Sequence, residues 1–269
     1  GKPLCGKSTL NRLELSAEPS TRNERYHKIL SDFDALDELL VDLFIERHSS
    51  RPREIILDLD ATDIPIHGAQ EQRFFHGYYG HYCYLPLYIV AGDFPLCVRL
   101  RSAGQDAAEG CIEELAPIVE RLRSAWPGVC LIVRGDSGFC REPVLRWCED
   151  EGIDYVIGLA RNQRLQARIA KAAERSRRRC LKTGRPSRRF KNLRYKTKTT
   201  WSRSRRVVAK AEHLPGKANA RFVVTSIARS EIPARELYEQ WYCARGDMEN
   251  RIKEHQLELF GDRMSTQVV

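Results

Sequence analysis

Nowhere in these 269 residues is there an apolar run long enough to cross a bilayer, and the first residues show no signal-peptide pattern. Membrane-spanning classes are therefore set aside. Cysteine occurs nine times but never as Cys-x-x-Cys, so a structural zinc site has no framework. An odd, scattered set reads as reduced thiols, most of them core fillers, in a cytosolic protein. There is no dinucleotide-type glycine-rich loop and no credible Ser/His/Asp or Cys/His nucleophile set. Acids are the minority charge, 36 against 45 Lys and Arg, giving a net charge of +9 and a pI of about 9.2. That balance favours a polyanionic partner, nucleic acid before a membrane surface. Gly1-Lys-Pro-Leu-Cys-Gly6-Lys7-Ser8 matches the phosphate-loop pattern letter for letter, but the buried strand that must precede it is missing. It reads as coincidence or an interdomain segment. A first residue Gly and an end at Ser265-Thr-Gln-Val-Val269 read as a fragment trimmed at both ends.

What is there is a sequence of elements. Tyr26, Ile29, Leu30, Phe33, Leu36, Leu39, Leu40, Leu43 and Phe44 keep a helical period that Ser20 or Thr21 could cap. Residues 1–50 are thus expected to form a helical N-terminal segment. Ile55–Leu59 reads as a buried strand ending among Asp58, Asp60 and Asp63. Alternation puts Asp58 and Asp60 on one face. Acids in an apolar run need a charged partner or a metal, although an acidic turn at a strand end explains them equally well. Residues 64–80, with His67, Phe74, Phe75, His76, Tyr78 and Tyr79, read as a long connection. The spacing of His67, His76 and His81 fits no standard metal set. Two strands, Tyr82–Ala91 and Phe94–Arg101, flank the Gly92-Asp93 turn. Helical period over Ala107–Trp126 stops at Pro127-Gly128. Val129–Val133 is a fully apolar strand running into Arg134-Gly135-Asp136-Ser137-Gly138. A helix over 141–151 and a strand over Tyr155–Leu159 follow. Three strands by hairpin and then βαβ units predict a mixed α/β sheet with helices on its faces, in the order of the ribonuclease-H-like fold. That layout brings the ends of Ile55–Asp60 and Val129–Asp136 together, and residues 51–160 form the first part of this core.

After Leu159 the composition changes. Residues 161–210 hold 20 Lys or Arg against one acid, Glu174, with Phe190, Tyr195 and Trp201 interleaved. Such a run holds nucleic-acid backbones, Arg188, Arg189 and Lys191 among the contacts, or is an exposed basic loop. Leu193–Thr200, Val207–Ala211 and Arg221–Ile227 look like strands, with Pro215-Gly216 as a turn. Residues 161–230 are therefore read as a basic β-rich insertion whose end returns to the core, and 231–269 as a C-terminal catalytic helix, roughly Ala234 to Leu259.

On that helix Tyr242, Arg245, Glu249 and Lys253 are spaced three, four and four apart, which places them on one face. Two i,i+4 ion pairs on a solvated face would account for them. Asp60 and Asp136, at two strand ends, change the balance. Three converging carboxylates can bind two Mg²⁺ or Mn²⁺ ions and leave room for phosphate oxygens, the arrangement of two-metal phosphoryl transfer.

These residues resemble a DDE transposase of bacterial insertion sequences, in the subgroup whose last acidic motif reads Tyr, two residues, Arg, three residues, Glu, six residues, Lys. Tyr242, Arg245 and Glu249 match. The Lys place falls on Gln256, and Lys253 lies one turn earlier. Asp60-Ala-Thr62 resembles the first motif and Val133-Arg-Gly-Asp136-Ser-Gly-Phe139 the second. Leu57–Asp63 with Phe74–Tyr79 most resembles the insertion sequence thirteen-eighty branch.

The resemblance implies a ribonuclease-H-like core with the β-rich insertion before the last catalytic helix. Asp60, Asp136 and Glu249 would be the catalytic and metal-binding set, with Asp58 and Asp63 as alternatives for the first Asp. It implies cleavage at the terminal inverted repeats and transfer into target DNA by a homodimer, through a hairpin route. Tyr242, Arg245 and Lys253 would contact DNA, and Trp201 would hold a flipped base. The expected setting is the bacterial cytoplasm, at the nucleoid when bound. A nuclease on the same fold, a silent DNA-binding fragment and a basic RNA-binding module are the rival readings.

Overall fold

The computed structural model describes residues 32–259 and 261. The phosphate-loop-like stretch and the Ser20 or Thr21 cap lie outside them. The first helix, α1 (Phe33–Arg47), is capped by Asp32, whose carboxylate accepts from the Ala35 amide at 3.0 Å. A run of apolar residues then builds β1 (Glu54–Ala61). Short strands follow, β2 (Ile64–Pro65), β3 (Phe74–His76) and β4 (His81–Tyr84). They pair as a small three-stranded sheet in the order β2-β4-β3, where a plain connection and the start of one long strand had been expected. Pro86 has no amide proton to donate, and the chain changes sheets at this point. It enters the main sheet as β5 (Leu87–Ala91), and turns at Gly92, whose φ of 61° suits a residue without Cβ. It then returns as β6 (Phe94–Arg99).

Next come α2 (Cys111–Ala125), β7 (Cys130–Gly135), α3 (Glu142–Asp150) and β8 (Asp154–Leu159). The basic stretch does not begin with strands. It forms a 21-residue helix, α4 (Gln163–Thr183), capped by Asn162 and closed by Gly184 in the left-handed conformation. Then β9 (Ser187–Tyr195), β10 (Arg205–Leu214) and β11 (Lys217–Thr225) form an antiparallel meander. These strands are not a separate sheet. β11 pairs with β8, so one eight-stranded mixed sheet runs β6-β5-β1-β7-β8-β11-β10-β9, across the boundary drawn at residue 160 from composition.

β1 is central. It pairs antiparallel with β5 and parallel with β7, and β7 pairs parallel with β8. One face of the sheet is covered by α1, α2, α3 and α4, whose Val41, Leu115, Leu145 and Leu165 join Leu57, Val133 and Val207 in the main core. On the other face Ile132, Val156, Val208 and Val223 pack under Leu237 and Tyr238 of the C-terminal helical run.

Arg205 joins β10 to α3. Its side chain is 2% exposed, and its guanidinium donates to Glu149 at 2.8 Å and to Glu142 at 2.6 Å. Burial works against the Glu142 charge, but hydrogen bonds from Arg205 and Ser202 outweigh it and bring its pKa from 4.5 down to about 2. A carboxylate held below its ordinary value stabilises the fold above that value, and the contribution is lost as pH falls through the lowered one. Thermal melts are therefore expected to shift downward as pH drops from 4.5 towards 2. Glu142→Gln should lower the neutral-pH melting temperature and flatten that acid dependence; an unaltered acid profile would count against this cluster as its source.

Candidate active site at the strand ends

The parallel register of β1 and β7 sets the first two carboxylates. Leu59 is the partner of Gly135, so Asp60 and Asp136, one residue further on, emerge side by side at neighbouring strand ends. Adjacent strands lie about 4.8 Å apart. Asp136 is then fixed by local chemistry. It caps a short 3₁₀ turn, Ser137–Phe139, and accepts from the Gly138 amide at 2.7 Å. Gly138 has to be small, because a Cβ there would lie 2.9 Å from the Asp136 Oδ1 and 3.2 Å from the Ala107 methyl.

The third carboxylate comes from the C-terminal helical run, which is not uniform. One α turn (Ala234–Glu236) leads into a π-helical segment (Leu237–Tyr242), a 3₁₀ turn (Cys243–Arg245), the helix α5 (Gly246–Lys253) and a second π segment (Glu254–Glu258). Met248 and Ile252 bury against Tyr88 and Val90 of β5. Their next neighbours, Glu249 and Lys253, then border the cavity over the strand ends. That cavity, of about 550 Å³, is lined by Asp60, Asp136, Glu249, Arg245, Lys253 and Gln256, with His76, Tyr78 and Tyr79 on its outer side.

The structure separates the three acids of the first motif. Asp58 is buried and held by Arg134, whose Nε donates to one carboxylate oxygen at 2.5 Å and whose Nη2 donates to the other at 2.6 Å. Burial pushes its carboxyl up, and the Arg134 bonds oppose that push. Asp63 pairs with His81 at 2.7 Å. Asp60 faces the cavity. Burial raises its pKa; Arg245 draws it down, and the charges of Asp136 and Glu249 raise it again. With two acids beside it, the Asp60 carboxylate needs a positive partner.

Arg245 partly answers that need. It lies 3.6 Å from the Asp60 Oδ2 and donates to the Glu249 Oε1 at 3.2 Å. Its Nη1 is buried without a hydrogen-bond partner, which leaves one donor available. Among the described residues, no three His, Cys, Asp or Glu side chains converge tightly enough as they stand to hold a metal ion. The carboxylate oxygens are nevertheless the donors that Mg²⁺ or Mn²⁺ takes, and the Arg245 guanidinium pairs with two of the three acids. In its chemistry the donor set fits the ion.

Tyr242 does not line the cavity. It is partly buried, its hydroxyl packs where a Cβ on Gly158 would be only 2.6 Å away, and Tyr238 abuts it at 5.5 Å. Burial pushes its phenol up, Arg245 opposes this and Asp136 adds to it, so the phenol keeps its proton at neutral pH and can donate. Gln256, at the expected Lys place, reaches the Asp63 carbonyl at 3.5 Å, while Lys253 lines the cavity.

The other expected DNA contacts lie elsewhere. Arg188, Arg189 and Lys191 are exposed on β9, the free edge of the sheet, and Arg188 is paired with Glu239 at 3.0 Å. Trp201 was expected to hold a flipped base. It is 4% exposed, edge-on to Tyr195 and covered by the Arg205 guanidinium at 5.3 Å, so its indole is core. Sequence reasoning passed over Arg134 as a partner for Asp58. The signal was available, since Arg134 stands in the parallel strand that the motif spacing already placed next to β1. No helix among the described residues is long and apolar enough to cross a membrane.

The family profile described as Transposase DDE domain group 1 matches residues 1–269. No curated protein matches the chain. Among solved structures the chain is similar to piggyBac transposase in a synaptic complex with hairpin DNA, at 15% identity and a TM-score of 0.42 over 83% of this chain. It spans 45% of the length of that structure's chain.

Proposed function

The chain belongs to the Transposase DDE domain group 1 family, and from that premise we propose that it is a DNA transposase of an insertion sequence, cleaving phosphodiester bonds at transposon ends and joining them to target DNA. The observation that carries the reading is that Asp60, Asp136 and Glu249, far apart in sequence, line one cavity with Arg245 among them. A ribonuclease-H-like core is part of the proposal. It rests on the sheet order, with β1 central, β5 and β6 antiparallel on one side, and β7 and β8 parallel on the other.

Asp60, Asp136 and Glu249 would hold the Mg²⁺ or Mn²⁺ ions, two in this reading, which supply charge neutralisation at the reacting phosphoryl oxygens and at the attacking and leaving oxygens. The residues do the positioning. Arg245 exchanges its carboxylate contacts for a phosphate, a planar donor suited to that ligand. Tyr242 donates its phenolic proton to a phosphate oxygen, and Lys253 adds charge from the next turn. The exposed cations of α4 and β9 bind the backbone of double-stranded DNA, terminal repeats and target alike, and make affinity strongly salt-dependent. The working form is a homodimer on paired ends, belonging to the insertion sequence thirteen-eighty branch.

A second reading has one observation in its favour. Arg245 engages both Asp60 and Glu249, as it would in a DNA-binding protein that had lost cleavage. The test is nicking of supercoiled plasmid by the chain in Mg²⁺ or Mn²⁺, followed by strand transfer from terminal-repeat DNA. Nicking with transfer supports the transposase. Nicking without transfer leaves a nuclease on the same core, and DNA binding without nicking leaves the silent reading.

A further inference from the structure

The small sheet of β2, β3 and β4 buries Ile64, Cys83 and Tyr84 beneath it, and the end of β3 with the loop that follows borders the carboxylate cavity. Three of its aromatic residues are exposed: Phe74 is 51% exposed, Phe75 50% and Tyr82 46%. Tyr78 is 87% exposed and lines the cavity that holds Asp60, Asp136 and Glu249. A tyrosine so exposed adds almost nothing to folding by burial.

Its placement is nevertheless built. β3 and β4 pair up to His76 and His81, and the loop Gly77-Tyr78-Tyr79-Gly80 is closed by the Gly80 amide donating to the His76 carbonyl at 2.8 Å. Gly80 supplies the φ of 75° that the loop needs. Below Tyr78 lies Tyr79, edge-on at 5.1 Å, and Tyr79 in turn packs against His76 at 4.9 Å. The His76 ring also lines the cavity, and its Nδ1 is buried with no hydrogen-bond partner. A supported aromatic ring beside an unsatisfied polar nitrogen has the two properties that hold an unpaired nucleobase, a stacking surface and a group for the base edge.

We propose that Tyr78 and His76 form a nucleobase subsite at the rim of the carboxylate cavity. It receives an unpaired nucleotide next to the phosphate to be cleaved, with Tyr78 stacking on the base and His76 hydrogen-bonding its edge. The preferred substrate is then DNA that is frayed or single-stranded at the reacting position. The inference rests on the DNA-transposase reading, since it takes the cavity to hold a DNA phosphate. Tyr78 and His76 are positioning residues and take no part in bond making.

The experiment compares two DNAs in metal-free buffer, a blunt duplex and the same duplex with a three-nucleotide single-stranded overhang carrying 2-aminopurine. Binding to the chain is read by anisotropy and stacking by 2-aminopurine fluorescence. The overhang should bind about tenfold tighter than the blunt end, with the 2-aminopurine signal quenched. Tyr78→Ala should bring the ratio of the two affinities close to one and relieve the quenching, Tyr78→Phe should keep both, and His76→Ala should reduce the ratio in part. Equal affinity for the two DNAs, or a preference and quenching that survive Tyr78→Ala, overturns the proposal. Because no metal is present, this outcome is separate from the nicking assay. A protein that never cleaves can still show the overhang preference, and one that cleaves can lack it.

Discussion

Asp136→Ala, Asp60→Ala and Glu249→Ala are each expected to lower metal-dependent strand cleavage on the order of a thousandfold or more, while leaving affinity for duplex DNA nearly intact. The size follows from the arrangement. Carboxylates that hold ions act as a unit, so losing any one removes most of the charge stabilisation at the phosphoryl oxygens. In the proposed reading the binding surface, in contrast, is spread over exposed cations of α4 and β9 and does not depend on the acids. Asp58→Asn should behave differently, because that carboxylate is buried against Arg134 and does not line the cavity. Its deficit should be in stability, and cleavage by the folded fraction should persist. Plasmid nicking normalised to the folded fraction separates the cases. Cleavage undiminished in Asp136→Ala or Glu249→Ala would remove the site assignment altogether.

Arg134→Met should cost about 3–5 kcal/mol of folding stability, the usual penalty for stranding one partner of a buried ion pair. Arg134 and Asp58 side chains are 8% and 7% exposed, so water cannot take the missing partner's place. Arg134 also donates to the Trp241 carbonyl at 2.6 Å, which ties β7 to the helical run that carries Glu249. The double variant Asp58→Leu/Arg134→Met should recover most of the loss, since an apolar pair of similar volume leaves no uncompensated charge. Urea unfolding of the two single variants and the double gives the coupling between them. Additive single losses would mean that the two side chains do not act as a pair.

Much of the sheet could be read from the sequence because its strands are short, apolar and bounded by turn residues. Ile55–Leu59 and Tyr155–Leu159 sit inside the strands observed, and Val129–Val133 begins one residue before its strand, Cys130–Gly135. The strand-end positions of Asp60 and Asp136 followed from those runs, and the pairing of Arg245 with Glu249 followed from their spacing. What escaped had a physical reason in each case. The buried stripe of α4 is Leu165, Ile169, Ala172, Ser176 and Cys180, too small and too polar to stand out among so many cations. Strands of two to four residues with exposed aromatics, as in the small sheet, carry no alternation to detect. Nor does a local pattern reveal that Trp201 is covered, because its cover, Tyr195 and Arg205, comes from two strands that pair only in the fold.

The free edge of the sheet bears on how the protein behaves in the absence of DNA. Among the described residues one side of β9 has no strand beside it, and nine residues of backbone there could template a strand from a second copy. Arg189, Lys191 and Arg194 are exposed along that strand, so two such edges repel each other on approach. The cations that would hold a polyanion therefore also keep the unbound chains dispersed. Dilute salt protects against self-association through this edge, and screening or neutralising those three side chains exposes a surface prone to aggregate.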